Sequence, residues 1–159
     1  MSIKRPALNP RDRSILAESL FGMGRYDRRT SDSWLDNVPV FKKEGMEILY
    51  SGPALDLSDR AVWEQVLRVC SSAPPDAFEG EAFLRAINRT ATPSDFEWLD
   101  EAFERLIRAG VIVRSESARQ AFGLVKEVSR SGDAGPPRYS VVPHPSAANL
   151  FLGESDARS

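Results

Sequence analysis

The chain has 159 residues, with one histidine, one cysteine, 42% hydrophobic and 28% charged residues, and a formal net charge of −2. That length accommodates one domain with tails and a genuine core, the composition is that of an ordinary globular protein, and the lone Cys70 excludes an internal disulfide. No apolar run approaches a membrane span, and Met1-Ser2-Ile3-Lys4-Arg5-Pro6 is not followed by a signal-peptide core, so the expected location is the cytoplasm with no membrane partner.

The charge is unevenly placed. Through Thr30 there are seven lysines and arginines against three acids, and beyond it 14 against 20. A +4 segment on a −6 body suits either an arm that touches a polyanion or a solvated tail. Asn9-Pro10 predicts a helix running to about residue 21, with Ile15, Leu16 and Leu20 on one face and Gly22 and Gly24 beyond it. Residues 25–39 are polar and broken, and read as a linker or wrapping loop from which Trp34, Leu35 and Val38 could dock on a core. Residues 47–51 form a short strand, closed by Gly52-Pro53. A second helix follows, with Ser58 as N-cap and Leu57 stapled to Val62. It reaches about Cys70, and its broad apolar face of Val62, Trp63, Val66, Leu67, Val69 and Cys70 makes that thiol a buried structural one. Pro74-Pro75 separates it from a helix over 81–89 that buries Phe83, Leu84 and Ile87.

The strongest helix signal lies over residues 92–110. Thr92 and Ser94 both suit an N-cap, Pro93 suits the first helical position, and Ser94 with Glu97 matches a capping box. Phe96, Leu99, Phe103, Leu106 and Ile107 form one apolar stripe, which puts Phe103 on the side of the helical layer that faces Trp63. Gly110 ends the helix. Its outward residues, Asp95, Glu97, Asp100, Glu101 and Glu104, suit the positive end of a helix dipole but have the wrong sign for phosphates. Strands then read over 111–113, 122–129 and 139–142, with turn chemistry over 131–137. Three helices followed by a hairpin is the order of an α+β winged helix: a helix-turn-helix with a C-terminal β-hairpin wing, here with an extra N-terminal helix. The strand over 47–51 is expected to complete a three-stranded sheet with the hairpin. The organisation reads as 1–45, basic helix and wrapping loop; 46–145, winged-helix domain; 146–159, tail or start of an inter-domain helix.

Chemistry that needs a residue constellation finds none. His144 is held between two prolines as an exposed turn residue, so no His pair, Ser/His/Asp set or Cys/His metal cluster can be assembled. Gly22-Met23-Gly24 lacks the rest of a dinucleotide fingerprint, and no Gly-Lys-Ser/Thr phosphate loop occurs. Asp100, Glu101 and Glu104 read as the solvated face of a helix. The expectation is a non-enzyme without cofactor or metal.

Residues 40–67 resemble plasmid replication initiators of the TrfA type. The most specific part is Tyr50-Ser51-Gly52, then Leu55, then Asp59 with Val62-Trp63-Glu64-Gln65-Val66-Leu67; elsewhere the resemblance rests on element order and on Ala102, Leu106 and Tyr139. It implies a tandem winged-helix protein that binds direct repeats at a plasmid origin, opens the duplex and helps load the host helicase. The match is to the first winged helix. The family's second one, which usually reads bases, would begin about where this chain stops, so the chain reads as a fragment of a longer initiator or a one-domain relative. First winged helices of this family commonly supply dimer and phosphate contacts.

Two functions follow. In the first, plasmid replication initiation, double-stranded origin DNA is the partner, with host replication proteins and a homodimer alongside. Arg25, Arg28 and Arg29 on the arm, Arg85 and Arg89 entering the turn, and Lys126, Arg130 and Arg138 on the wing would touch phosphates. The alternative is a protein-interaction or dimerisation module without autonomous DNA binding, favoured by the acidic third helix. Self-association would use Trp98, which lies off the apolar stripe, or Val141, Val142, Leu150, Phe151 and Leu152, which an absent second domain would leave uncovered.

Overall fold

The computed structural model describes residues 8–22, 34–71, 77–132 and 135–152. Helix α1 (Pro10–Leu20) begins at Asn9, whose side chain accepts from the Asp12 N–H at 2.8 Å, with Pro10 at the first position. Leu16, Ala17 and Leu20 face inward, while Ile15 stays 42% exposed. Strands β1 (Trp34–Lys43) and β2 (Met46–Pro53) form a hairpin about Glu44-Gly45, where Gly45 takes a φ of +81° that its missing Cβ permits. Residues 34–39 are therefore strand rather than wrapping loop. Two register shifts break the side-chain alternation of β1, which hides it from a period-two reading.

Helix α2 (Leu57–Ser71) starts on a reciprocal pair: the Asp59 N–H donates to Asp56 Oδ1 at 3.0 Å, and the Asp56 N–H donates to Asp59 Oδ2 at 3.1 Å. The cap is Asp56, not Ser58, because Ser58 has Ala61 three residues on and nothing to return the bond. Leu57 is correspondingly 53% exposed, and Leu55 is the residue buried beside the cap. Strand β3 (Phe78–Glu79) leads into α3 (Gly80–Ala86), and a turn leads to α4 (Pro93–Arg108). The remaining strands are β4 (Gly110–Ser115), β5 (Arg119–Gly123), β6 (Val125–Ser131) and β7 (Arg138–Pro143), followed by α5 (Pro145–Leu152). Among the described residues no helix is long and apolar enough to cross a membrane.

The strands make two antiparallel sheets, ordered β1-β2-β4-β5 and β3-β7-β6. The expected strand over 47–51 thus pairs with β1 and β4, and β3 takes the place foreseen for it beside the hairpin. The run over 122–129 is split between the sheets at Leu124. There the N–H donates to the Ala109 carbonyl at 3.0 Å, the carbonyl accepts from the His144 N–H at 2.9 Å, and the side chain is fully buried. Local β character on both sides conceals a change of sheet that only long-range bonds impose.

One hydrophobic cluster runs from Leu8 to Leu150, joining α1, both sheets, α2 to α4 and α5. The boundary placed after residue 45 falls in the β1–β2 turn, and the segment after 145 begins with a helix that buries Ser146, Ala147 and Leu150. Trp63 meets Phe151 edge-on at 5.6 Å, whereas Phe103 packs on Phe83 at 5.6 Å and Tyr139 at 5.4 Å. His144 is half-buried rather than exposed. Its Nδ1 accepts from the Ser146 N–H at 3.1 Å at the start of α5, and its ring stacks on Phe122 at 5.2 Å.

The residues that carried the family resemblance form the joint between β2, α2 and α4. Tyr50, Leu55, Asp59 and Trp63 are at most 1% exposed. Tyr50 donates its hydroxyl to the Pro53 carbonyl, and Asp59 accepts from Arg105 Nε at 3.0 Å and from its terminal nitrogen at 2.8 Å. Burial pushes the Asp59 carboxyl up while Arg105 pulls it back. Burial also opposes the charge on Arg105, but the Asp59 hydrogen bonds more than offset it and the guanidinium is held more firmly protonated. The two shifts pull the pair's ionisation in opposite senses. Arginine does not lose its proton near neutral pH and the carboxylate has its acceptor sites filled, so the pair is ionised there. Gly52 adopts a φ of +146°, and a Cβ on it would meet the Arg108 carbonyl at 2.7 Å.

Candidate nucleic-acid interface

Helix α4 opens on Thr92, fixed as N-cap by Pro93 at the next position. The Asp95 N–H donates to Thr92 Oγ1 at 3.3 Å, and Asp95 Oδ2 accepts from the Thr92 N–H at 3.1 Å. The capping box is therefore Thr92 with Asp95, and Ser94 lies inside the helix rather than heading it. Thr90 also donates its hydroxyl to Asp95. The side-chain hydrogen bonds from Thr90 and Thr92 come first, then the backbone bond, in holding the Asp95 carboxyl down to about 2. Asp95 is 8% exposed, so it belongs to the helix start and not to the solvated face. Glu97, Glu101 and Glu104 are exposed or half-exposed and Asp100 is half-buried, which leaves the outer side of α4 acidic.

Each described arginine named for phosphate contact has a carboxylate beside it. Arg85 lies 2.6 Å from Glu81 one turn back, at 72% exposure, a surface pair worth little in stability. Arg89, in the turn before α4, lies 3.4 Å from Asp95 and stacks over the Trp98 ring, its Cζ 3.7 Å from the centroid. Its Nε is buried without a hydrogen-bond partner. That geometry clamps the turn to α4 and accounts for an aromatic off the main apolar stripe: Trp98 is half-buried under Arg89 instead of presenting a free face. Arg130 on β6 binds Asp100 on α4, and the Tyr139 hydroxyl donates to the same carboxylate at 2.7 Å. Arg138 on β7 stands opposite Glu79 on β3, 3.7 Å away, with both side chains at least half exposed. Lys126 is exposed on β6. Arg25, Arg28 and Arg29 lie outside the described residues.

The apolar residues assigned to self-association separate. Val141 and Leu150 are buried at 7% and 8%, Val142 is 41% exposed, and Phe151 and Leu152 are half-buried. Phe151 packs on Trp63 and lies 6.3 Å from Phe21. Helix α5 thus covers much of the surface that an uncovered second-domain site required. Cys70 is half-buried, with its thiol 3.5 Å from the Val141 carbonyl; burial pushes its pKa up, away from nucleophilic use. Among the described residues no three His, Cys, Asp or Glu side chains gather as a metal site.

The sheets also assemble a charged row that sequence order scatters. Lys42, Glu47, Arg114 and Arg119 are successive cross-strand partners on β1, β2, β4 and β5. Arg114 Nε donates to Glu47 at 2.9 Å, and the neighbouring Lys43 lies 2.8 Å from Asp12. The row itself holds three bases and one acid, but Glu44 and Glu116 stand at the same end of the sheet and Lys43 is paired with Asp12, so the charges there are mixed. The row exists only through the register of four strands.

No family model matches the chain, and no curated protein matches it. Two solved structures of domains 2 and 3 of RctB, one of them of a selenomethionine derivative, are similar to it, with TM-scores of 0.61 and 0.60. The first is 12% identical and covers 86% of this chain and 58% of its own length; the selenomethionine structure is 11% identical and covers 80% and 56%. The chain thus spans somewhat over half the length of those structures. The likeness establishes the fold, a mixed α+β arrangement of helices and antiparallel sheets of the RctB domain type.

Proposed function

We propose that this chain is an origin-binding winged-helix unit of a plasmid replication initiator, working in the cytoplasm by non-covalent DNA contact and requiring no cofactor. The observation that carries the reading is the order α2-β3-α3-α4-β4-β5-β6-β7 with β3 added to β7; with β4–β5 set aside, this order matches a helix-turn-helix followed by a wing. In this reading α4 is the helix next to the groove, β6–β7 is the wing, and β4–β5 is an insertion that joins the unit to the β1–β2 hairpin. The resemblance of residues 40–67 to TrfA-type initiators supports the replication role, and domains 2 and 3 of RctB share the fold.

The paired arginines set the strength of that role. With carboxylates beside Arg85, Arg89, Arg130 and Arg138, few phosphates are neutralised without first breaking an internal pair. Binding by this unit alone is weak, nearly sequence-blind and salt-sensitive, with a shallow slope set by the few phosphates it neutralises. Anisotropy titrations on direct-repeat and mixed-sequence duplexes, between about 50 and 200 mM salt, test this; tight repeat-specific binding that survives added salt overturns it.

The same pairing favours a second reading, a module whose acidic α4 face meets a protein, a second copy included. Sedimentation across a concentration series tests the second copy: a chain that is monomeric throughout and binds duplex DNA favours the first reading, and a dimer without DNA binding favours the second.

A further inference from the structure

Helices α1, α2 and α5 enclose a half-open groove of about 370 Å³ that shares no residue with the α4 and wing face. Its apolar lining includes Phe21, Trp63 and Phe151, and its polar lining includes Arg13, Arg60 and Glu64. One buried donor in this lining lacks an acceptor. Trp63 is fully buried, and its Nε1–H has no hydrogen-bond partner, an arrangement that ordinarily costs stability unless something supplies an acceptor. Arg13 is half-buried at the rim and, among the described residues, has no carboxylate partner; Arg60 shares Glu64 at 3.3 Å.

We infer that this groove binds an acidic-hydrophobic peptide segment of a partner protein. A large apolar side chain of the peptide seats against the half-buried Phe151 and Leu152, above the buried Trp63 ring, and a flanking carboxylate sits between Arg13 and Arg60. The volume suits one anchor side chain with its neighbours. The guanidinium groups of Arg13 and Arg60 outnumber the Glu64 carboxylate and leave the rim positive, which repels basic segments and draws acidic ones. The partly exposed Phe151 and Leu152 call for an apolar anchor, which a duplex backbone does not present.

The test uses the full chain and three fluorescein-labelled hexapeptides: Glu-Asp-Leu-Phe-Glu-Asp, the same with every acid changed to Lys, and the same with Leu and Phe changed to Ala. Polarisation titrations should show saturable binding of the first only. The double variant Arg13→Glu, Arg60→Glu should weaken it by about tenfold or more, and Arg13→Gln, a milder change at the rim, by severalfold. The indole N–H resonance of Trp63, assigned by elimination with Trp34→Phe and Trp98→Phe, should shift on binding, because its ring packs edge-on with Phe151. Absent saturation, equal binding of the lysine peptide, an unmoved Trp63 resonance, or displacement of the peptide by duplex DNA would each overturn the assignment.

Discussion

Replacing Arg105 with Met tests whether the joint between β2, α2 and α4 depends on a buried charge pair. Asp59 is 1% exposed and Arg105 20%, and the guanidinium donates through Nε at 3.0 Å and a terminal nitrogen at 2.8 Å. Methionine keeps most of the aliphatic stem but removes both donors, leaving the carboxylate to the Asp56 N–H. Two charge-assisted hydrogen bonds at roughly 1.5–3 kcal/mol each bracket the loss, and stranding one member of a buried pair costs about 3–5 kcal/mol. That is a large share of a domain's total of about 5–15 kcal/mol. The loss also depends on pH. Burial raises the Asp59 carboxyl above its ordinary 3.8, so a folded state without Arg105 binds the proton more readily than the unfolded chain does. The penalty is then smallest at low pH and grows as pH rises through the raised value. Urea melts at acidic and neutral pH read both effects. A loss below about 1 kcal/mol, or one that is larger in acid, would refute the argument.

Trp63→Ala should cost about 3–5 kcal/mol, because the ring is fully buried and holds Phe151 edge-on; a thermal melt matching the parent would contradict that packing. Gly52→Ala should lower the melting temperature more than Gly135→Ala, since an added Cβ at 52 meets backbone at 2.7 Å with a φ of +146°, while at 135 it meets nothing within 4 Å. Asp95, held near 2 against an ordinary 3.8, contributes stability that is present above the ordinary value and lost as pH falls towards 2. Asp95→Asn should therefore flatten the acid limb of the melting curve, as calorimetry across that range would show.

Local chemistry made the long helices legible. Asn9-Pro10 and Thr92-Pro93 place two starts by sequence alone, and the apolar spacing of α2 and α4 sets their buried faces. Where several partners compete for one bond, the local reading slips by a residue or two: Asp56 displaces Ser58, and Asp95 displaces Glu97 as the partner in the box. Strand β1 was hidden by its register shifts and by Asn37 at a φ of +51°, and β3 has only two residues to announce it. The split at Leu124 is imposed by Ala109 and His144, so no window around it contains the cause. The candidate interface was legible as a set of basic residues but not as a surface. The partners that neutralise Arg130 and Arg138, Asp100 and Glu79, lie on other elements far along the chain, and the row from Lys42 to Arg119 exists only after four strands align.

The central claim is that hairpin arginines capable of phosphate contact are held in check by carboxylates on α4 and β3. The double variant Asp100→Asn, Glu79→Gln removes both charges while keeping the side-chain shapes, and the amide oxygen it introduces on α4 still accepts from the Tyr139 hydroxyl in place of the Asp100 carboxylate. Anisotropy titrations of parent and variant on a mixed-sequence duplex over a salt series would read the consequence. The account predicts tighter binding and a salt slope steeper by roughly 0.9 for each arginine released to a phosphate, close to two units if both engage. Unchanged affinity and slope would remove the hairpin from the DNA path and leave this face to a protein partner.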